Sequence, residues 1–280
     1  MGDLMKGKRG LVMGVANHNS IAWGAAKALS DQGAEVALTY QGDAFGRRVK
    51  PLAEEIGSKL VIPCDVEDTA SLDAVFKTLK DEWGSIDFVL HAIAFSDKSE
   101  LKGLYANTTR ENFVRTMVIS CFSFTEVARR AAEIMENGGS MVTMTYGGSV
   151  RVMPNYNVMG VAKAALEASV RYLAADFGPR NIRVNAVSAG PVRTLAGAGV
   201  SDARLMFNYQ RRNAPMRRNT TIEEVGGAVL YLMSELANGV TGEIHYVDSG
   251  YNVMSMPALD ELKAQEQRKA IVEGEDDAES

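Results

Sequence analysis

Gly10-Leu11-Val12-Met13-Gly14-Val15-Ala16-Asn17-His18-Asn19-Ser20-Ile21-Ala22-Trp23-Gly24 runs from a short apolar segment through small residues into the start of an amphipathic stretch. A strand that enters a helix in this way opens a βαβ unit, and the rest of the chain repeats the alternation. Seven strands are expected, near Gly10–Gly14, Glu35–Tyr40, Lys59–Cys64, Phe88–Ile93, Ser140–Thr145, Arg183–Val187 and Glu243–Val247. Each is apolar on both faces, as a parallel sheet covered by helices requires. Helices are expected near Ile21–Gln32, Asp43–Ile56, Ser71–Trp83, Arg110–Met135, Tyr156–Phe177 and Ile222–Glu235. No Pro/Ser-rich linker, composition shift or internal repeat divides them. The prediction is a single doubly wound, Rossmann-type α/β domain over residues 1–254, with a seven-stranded parallel sheet and helices on both faces. Residues 194–213 begin with small side chains and continue as a weakly helical segment, the composition of a mobile lid. Residues 255–280 look like an extension, with a helix over Leu259–Val272 and a disordered end.

The 280 residues are 46% apolar and 23% charged, which fits a globular domain and excludes a disordered, collagen-like or disulfide-stapled chain. The net charge of −5 is concentrated at the end, where Glu273, Glu275, Asp276, Asp277 and Glu279 stand without a base. The neutral body has no basic stripe for nucleic acid or an anionic membrane. Cys64 and Cys121 fall on different elements and read as free thiols in a reducing compartment. No apolar run is long enough to span a bilayer. The first residues lack an apolar signal core, and Lys6 stands where a myristoylation signal needs Ser or Thr. A cytoplasmic protein is expected.

Ligands of open parallel sheets bind beyond the carboxyl ends of the strands. At the first such end the sequence is not a clean G-x-G-x-x-G, but Gly14, Ala16, Ser20 and Ala22 supply a tight turn and small side chains before a helix N-terminus. A plain turn with Asn19 or Ser20 as helix cap is the alternative. Strand two ends at Gln41, where many NAD-binding chains place an acid against the ribose 2′-hydroxyl. Arg47 and Arg48 lie downstream and are able to meet a 2′-phosphate, so the residues leave NADH and NADPH both open. Asp65 and Val66 close strand three, as an adenine contact or a turn cap. After strand six, Gly190-Pro191 breaks the chain, and the backbone near Val192 can meet a nicotinamide carboxamide, with Thr194 able to reach phosphate; a plain turn into the next helix is the alternative. His18, His91 and His245 have no second ligand at metal spacing, so no metal is expected.

Tyr146 ends the fifth strand, and Tyr156, Met159 and Lys163 open the next helix. Tyr156 and Lys163 are seven residues apart, about 700° of rotation and about 10.5 Å of rise, so they share one helix face. A phenol and an ammonium on the wall of a nucleotide cleft suit redox chemistry beside a carbonyl. The ammonium can hold the nicotinamide ribose, and the phenol can donate to an oxygen that gains charge.

With these residues assembled, residues 7–254 resemble a short-chain dehydrogenase/reductase. The chain departs from the main branch in four places. Its glycine loop lacks T-G-x-x-x-G-x-G, and His91-Ala-Ile-Ala-Phe95 replaces N-N-A-G. Tyr and Lys stand seven apart instead of four, and Ser188-Ala-Gly-Pro191 carries Ala189 where Pro-Gly is common. Pro154-Asn-Tyr-Asn-Val-Met-Gly-Val-Ala-Lys163 and Ser188-Ala-Gly-Pro-Val-Arg-Thr-Leu195 are similar to the divergent branch, the enoyl-acyl carrier protein reductases of bacterial type II fatty acid synthesis.

That resemblance implies hydride transfer from NADH or NADPH to C3 of a trans-2-enoyl thioester on acyl carrier protein, followed by protonation at C2. It implies that Tyr156 bonds the thioester oxygen, Lys163 fixes the cofactor ribose and Tyr146 is the second active-site tyrosine. Gly14, Ser20, Ile21, Gln41, Asp65 and Val66 would contact cofactor, together with Ile93, Lys163, Val192, Arg193, Thr194, Leu195 and Ala196. Ser96 would touch substrate, and Ala94, Phe95, Leu101, Met159, Val200 and Met206 would flank the acyl chain beside the two tyrosines. Ala203 occupies a lid position often held by an aromatic residue. Arg193, Arg204, Arg211 and Arg212 are candidates to meet the acidic carrier protein, and the resemblance implies a homotetramer built on the long helices. Two rivals remain open: a carbonyl (3-oxoacyl) reductase, and an NAD-binding module without catalysis. Carbonyl reduction usually recruits a Ser about 13 residues before the Tyr, where this chain has Thr143 inside a strand.

Overall fold

A computed structural model describes residues 2–194, 203–264, 266 and 267. Seven parallel strands form one sheet: β1 (Arg9–Met13), β2 (Glu35–Tyr40), β3 (Val61–Pro63), β4 (Phe88–His91), β5 (Gly139–Thr145), β6 (Ile182–Ala189) and β7 (Ile244–Val247). Their spatial order is β3-β2-β1-β4-β5-β6-β7. The order reverses between β1 and β4, which pair in register from Gly10↔Phe88 to Met13↔His91, so the chain leaves these two strand ends in opposite directions and opens a crevice there. The helices are α1 (Ile21–Asp31), α2 (Gly42–Glu55), α3 (Thr69–Trp83), α4 (Arg110–Met117), α5 (Ser123–Ile134), α6 (Asn157–Phe177), α7 (Ala203–Asn213) and α8 (Ile222–Met233).

Both sheet faces are buried, and the pleat divides each strand between two cores. Leu11 and Met13 join Val89, Phe124, Val127 and Leu166 on the α3–α6 side. Val12, Phe88 and Leu90 join Leu29, Leu38 and Val229 on the α1, α2 and α8 side. Continuous apolar strands are therefore what this topology demands. Cys64 and Cys121 are buried free thiols. Burial, with the Asp65 charge second, pushes the Cys64 thiol up to about 12, and burial also raises Cys121.

The expected elements are all present, with differences at their ends. The Lys59–Cys64 strand shrinks to Val61–Pro63, because β3 is an edge and only Leu38, Thr39 and Tyr40 pair with it. The Arg110–Met135 helix is interrupted by a π-helical turn over Val118–Phe122. Helix α8 starts in a capping box between Thr221 and Glu224 and ends at Met233, two residues before the expected Glu235. Helix α7 is regular over Ala203–Asn213, where the sequence signalled only weak helicity, while residues 195–202 of the expected lid lie outside the described residues. Residues 259–264 are helical, and this segment joins the body: Ala258 N–H donates to Asn213 Oδ1 at 2.7 Å, and Arg212 pairs with Glu261 at 3.1 Å. Residues 268–280, with the acidic end, lie outside the described residues. Among the described residues no helix is long and apolar enough to cross a membrane.

Candidate active site

A cleft of about 1310 Å³ opens beyond the carboxyl ends of β1, β4, β5 and β6. Gly14 forms its floor with φ +102, and a Cβ there would stand 2.1 Å from the Ala92 carbonyl oxygen, so only glycine lets the turns after β1 and β4 meet. Ser20 sits at the N-cap of α1 without capping it. Its Oγ instead accepts from the Ala16 and Asn17 N–H groups at 3.0 and 3.1 Å, which folds the turn. The open end of α1, with Ile21 and Ala22, faces the cleft and offers backbone N–H groups to an anion.

Opposite this floor stand Tyr146, Tyr156 and Lys163. Pro154 breaks the chain after the 147–149 turn, and Asn155 and Asn157 adopt left-handed φ of 58° and 39° on either side of Tyr156, a conformation asparagine tolerates. The two tyrosine rings meet edge to face with centroids 5.1 Å apart. Tyr156 precedes the first residue of α6, yet it and Lys163 both reach the cleft, as their spacing requires. Lys163 is buried and donates to the Met144 carbonyl at 2.8 Å, which ties α6 to the end of β5. Burial, opposed by Cys121 and Glu167, pushes its ammonium down to about 8. Burial raises the Tyr156 phenol well above its ordinary value, and burial with Tyr251 and Asp248 raises Tyr146 to about 12. At neutral pH the site thus holds two protonated phenols and an ammonium, three donors on one wall.

Gly148 makes room for this arrangement, since a Cβ there would lie 2.5 Å from Tyr156 Cδ1. Gly148→Ala is expected to displace the Tyr156 ring and cost about 10²-fold in turnover. Cofactor affinity, measured by NADH fluorescence titration, should stay nearly unchanged.

The turn after β4 brings Ile93, Ala94, Phe95, Ser96 and Leu101 to the cleft, and α6 adds Met159. Val192, Arg193 and Thr194 line the side after β6, and Met206 lines it from α7. Gln41, Asp65 and Val66 sit at the ends of β2 and β3 and do not line the cleft. Asp65 accepts from the Glu67 N–H at 2.9 Å, which is the turn cap, and Val66 belongs to the core. Leu195, Ala196 and Val200, and the side chain of Ala203, lie outside the described residues. Met153 and Phe207 also line the cleft, and neither belongs to a motif in the sequence. Phe207 lies under the Arg193 guanidinium at 4.7 Å, a contact that no local pattern announces. The histidines stand apart: His18 meets Glu55, His91 lies between Thr143 and Ser123, and His245 faces Tyr231. Burial, then Lys163, pushes His91 down to about 3, so it is neutral.

A profile described as enoyl-(acyl carrier protein) reductase matches residues 14–252. The chain belongs to this enoyl-(acyl carrier protein) reductase family. It is 70% identical over 263 residues, 94% of this chain and 98% of its relative, to enoyl-[acyl-carrier-protein] reductase [NADH] 2 of Rhizobium meliloti. Its fold superposes with a TM-score of 0.90 on the crystal structure of FabI from Candidatus Liberibacter asiaticus, which is 57% identical and covered over 92% of this chain and all of that one. The reductase from Anaplasma phagocytophilum, solved in complex with NAD, gives a TM-score of 0.89 at 56% identity, over 93% of this chain and 97% of that one. The resemblance drawn from the Pro154–Lys163 and Ser188–Leu195 motifs is borne out, and so is the seven-stranded parallel fold. In a family member, the cleft between β1, β4 and α6 is the candidate active site.

Proposed function

We propose that this enoyl-acyl carrier protein reductase uses NADH to reduce the trans-2 double bond of an enoyl thioester carried by acyl carrier protein, with Tyr156 stabilising the enolate. The residues present fit a nicotinamide dinucleotide. The uncapped N-terminus of α1 and the glycine floor suit a pyrophosphate, and Lys163 is buried with its ammonium at the cleft wall. When bound, the cofactor supplies the hydride. Tyr156 donates a hydrogen bond to the thioester oxygen as that oxygen gains charge, and Lys163 holds the ribose and adds its positive charge nearby. Tyr146 packs against Tyr156 and fixes its direction. Gln41, just past the end of β2 and outside the cleft lining, is the uncharged side chain an adenosine ribose would meet if the dinucleotide extends beyond the cleft along that strand end.

One observation favours double-bond reduction over carbonyl reduction. Thr143, at the position where a carbonyl reductase places its serine, is fully buried in β5, and its hydroxyl donates to the His91 carbonyl at 3.1 Å. Thr145 does face the cleft, but its hydroxyl is held by the buried Glu167 carboxylate at 2.7 Å. The phenols are left as the donors aimed at an enolate. Arg193 and Arg204 both line the cleft; Arg193 is stacked on Phe207 and Arg212 pairs with Glu261, so Arg204 is the cleft-side base assigned to an acidic carrier protein. Exposed Val114, Phe122 and Tyr172 on the long helices support association into a homotetramer. Helix α7, which brings Arg204, Met206 and Phe207 to the cleft, acts as its lid.

Isotopic labelling tests the reaction. NADH deuterated at both C4 positions should place deuterium at C3 of the saturated product, and reaction in D2O should place it at C2. Solvent deuterium at C3 would overturn the proposal.

A further inference from the structure

The wall after β4 is held in an unusual way. Strand pairing ends at His91, yet the chain continues along the cleft through Ile93–Asp97, where its backbone polar groups have no strand neighbour. These backbone groups are partly shielded from water and need partners, and here a helix supplies them through buried side chains. Ser120 Oγ accepts from the Phe95 N–H and donates to the Phe95 carbonyl, both at 2.9 Å. Asn112 Oδ1 accepts from the Asp97 N–H at 2.9 Å, and Thr116 Oγ1 donates to Ser96 Oγ at 3.0 Å. Ser123 Oγ meets His91 Nε2 at 2.9 Å, at the last residue of β4.

Asn112, Thr116, Ser120 and Ser123 are all buried, the last three completely. At 100° per residue Asn112, Thr116 and Ser120 stand at about 0°, 40° and 80° around a helix, a single polar stripe, and Ser123 follows just after the π turn. The π-helical turn over Val118–Phe122 lies within the stripe, and its wider winding reduces the drift toward Ser120. A buried serine in a helix ordinarily donates to the carbonyl four residues back, as Ser123 does to Ile119 and Ser169 does to Ala165. Ser120 departs from that habit and grips a peptide of the cleft wall, while Arg115 covers the Phe95 ring from outside at 4.5 Å.

We infer that Ser120 is a positioning residue for the acyl substrate: by clamping the Phe95 peptide from the π turn, it sets the wall that faces Met159 and Tyr156. This rests on the enoyl reductase reading. The clamp touches no predicted dinucleotide contact except through Ile93 and its neighbours, so its loss should separate substrate from cofactor.

Ser120→Ala tests it. KM for a trans-2-octenoyl thioester should rise about tenfold, with kcat within about threefold and NADH affinity nearly unchanged. Ser120→Cys, with a weak donor of similar size, should recover part of the KM and carries the test if the alanine variant does not fold. Unchanged KM, or parallel losses in kcat, KM and NADH affinity that follow the folded fraction, would overturn the proposal. Amide exchange in the wild type and variants gives a readout independent of the reaction: residues 95–97 should exchange faster without the hydroxyl, and equal protection would contradict the clamp. A wild type silent on enoyl thioesters would instead defeat the functional reading, whatever the exchange shows.

Discussion

Tyr156→Phe is expected to lose about 100- to 1,000-fold in kcat, the usual effect of removing one preorganised donor from a developing oxyanion, or about 2.7–4 kcal/mol. The magnitude follows from the setting. Tyr156 is half-buried, and desolvation of its phenol raises the pKa well above the ordinary value, so it is a neutral donor across the working pH range. Its ring is held between Tyr146 and the Gly148 turn, so little reorganisation is needed when the oxygen charges. The missing oxygen leaves packing intact, and NADH titration should give the wild-type affinity. Single-turnover rates check the expectation, and a variant with full activity would remove Tyr156 from the chemistry.

Lys163→Met should weaken NADH binding by about 10- to 100-fold, the range for a lost hydrogen bond from a charged donor. It should also change the pH dependence. Burial holds the Lys163 pKa near 8, so the ammonium is present below that pH and is lost as pH rises through it. Wild-type NADH affinity is therefore expected to be constant at lower pH and to weaken above about 8, while the variant is flat across that range. Folding stability responds with the opposite sign. From about 8 up to the ordinary 10.5 the unfolded chain holds the proton and the folded chain has released it, so stability rises with pH across that window. Fluorescence titration and thermal melts over the same pH series separate the two effects.

How legible this was in the sequence depended on the range of the signal. The βαβ alternation is local, and the apolar runs at Leu11–Met13 and Phe88–Leu90 identified strands with both faces covered. Tyr156 and Lys163 were found because their separation is a helical repeat, and the Pro154–Lys163 motif gave them a family. Thr143 could be placed inside its strand from the alternation alone. The ends of β2 and β3 were harder: Gln41, Asp65 and Val66 stand where a doubly wound fold meets adenosine, but the cleft does not extend to them. The π turn at Val118–Phe122 was not read, because a serine among apolar residues looks like a tolerated helix position until its partner, Phe95, is known. The polar spacing of Asn112, Thr116, Ser120 and Ser123 on one helix face was the available signal.

The central claim is tested most directly by loss of absorbance at 340 nm with NADH and a trans-2-octenoyl thioester, run beside an acetoacetyl thioester. The account predicts NADH oxidation with the enoyl substrate and none with the keto substrate. Oxidation with the keto substrate alone, or silence with both while NADH still binds, would contradict it.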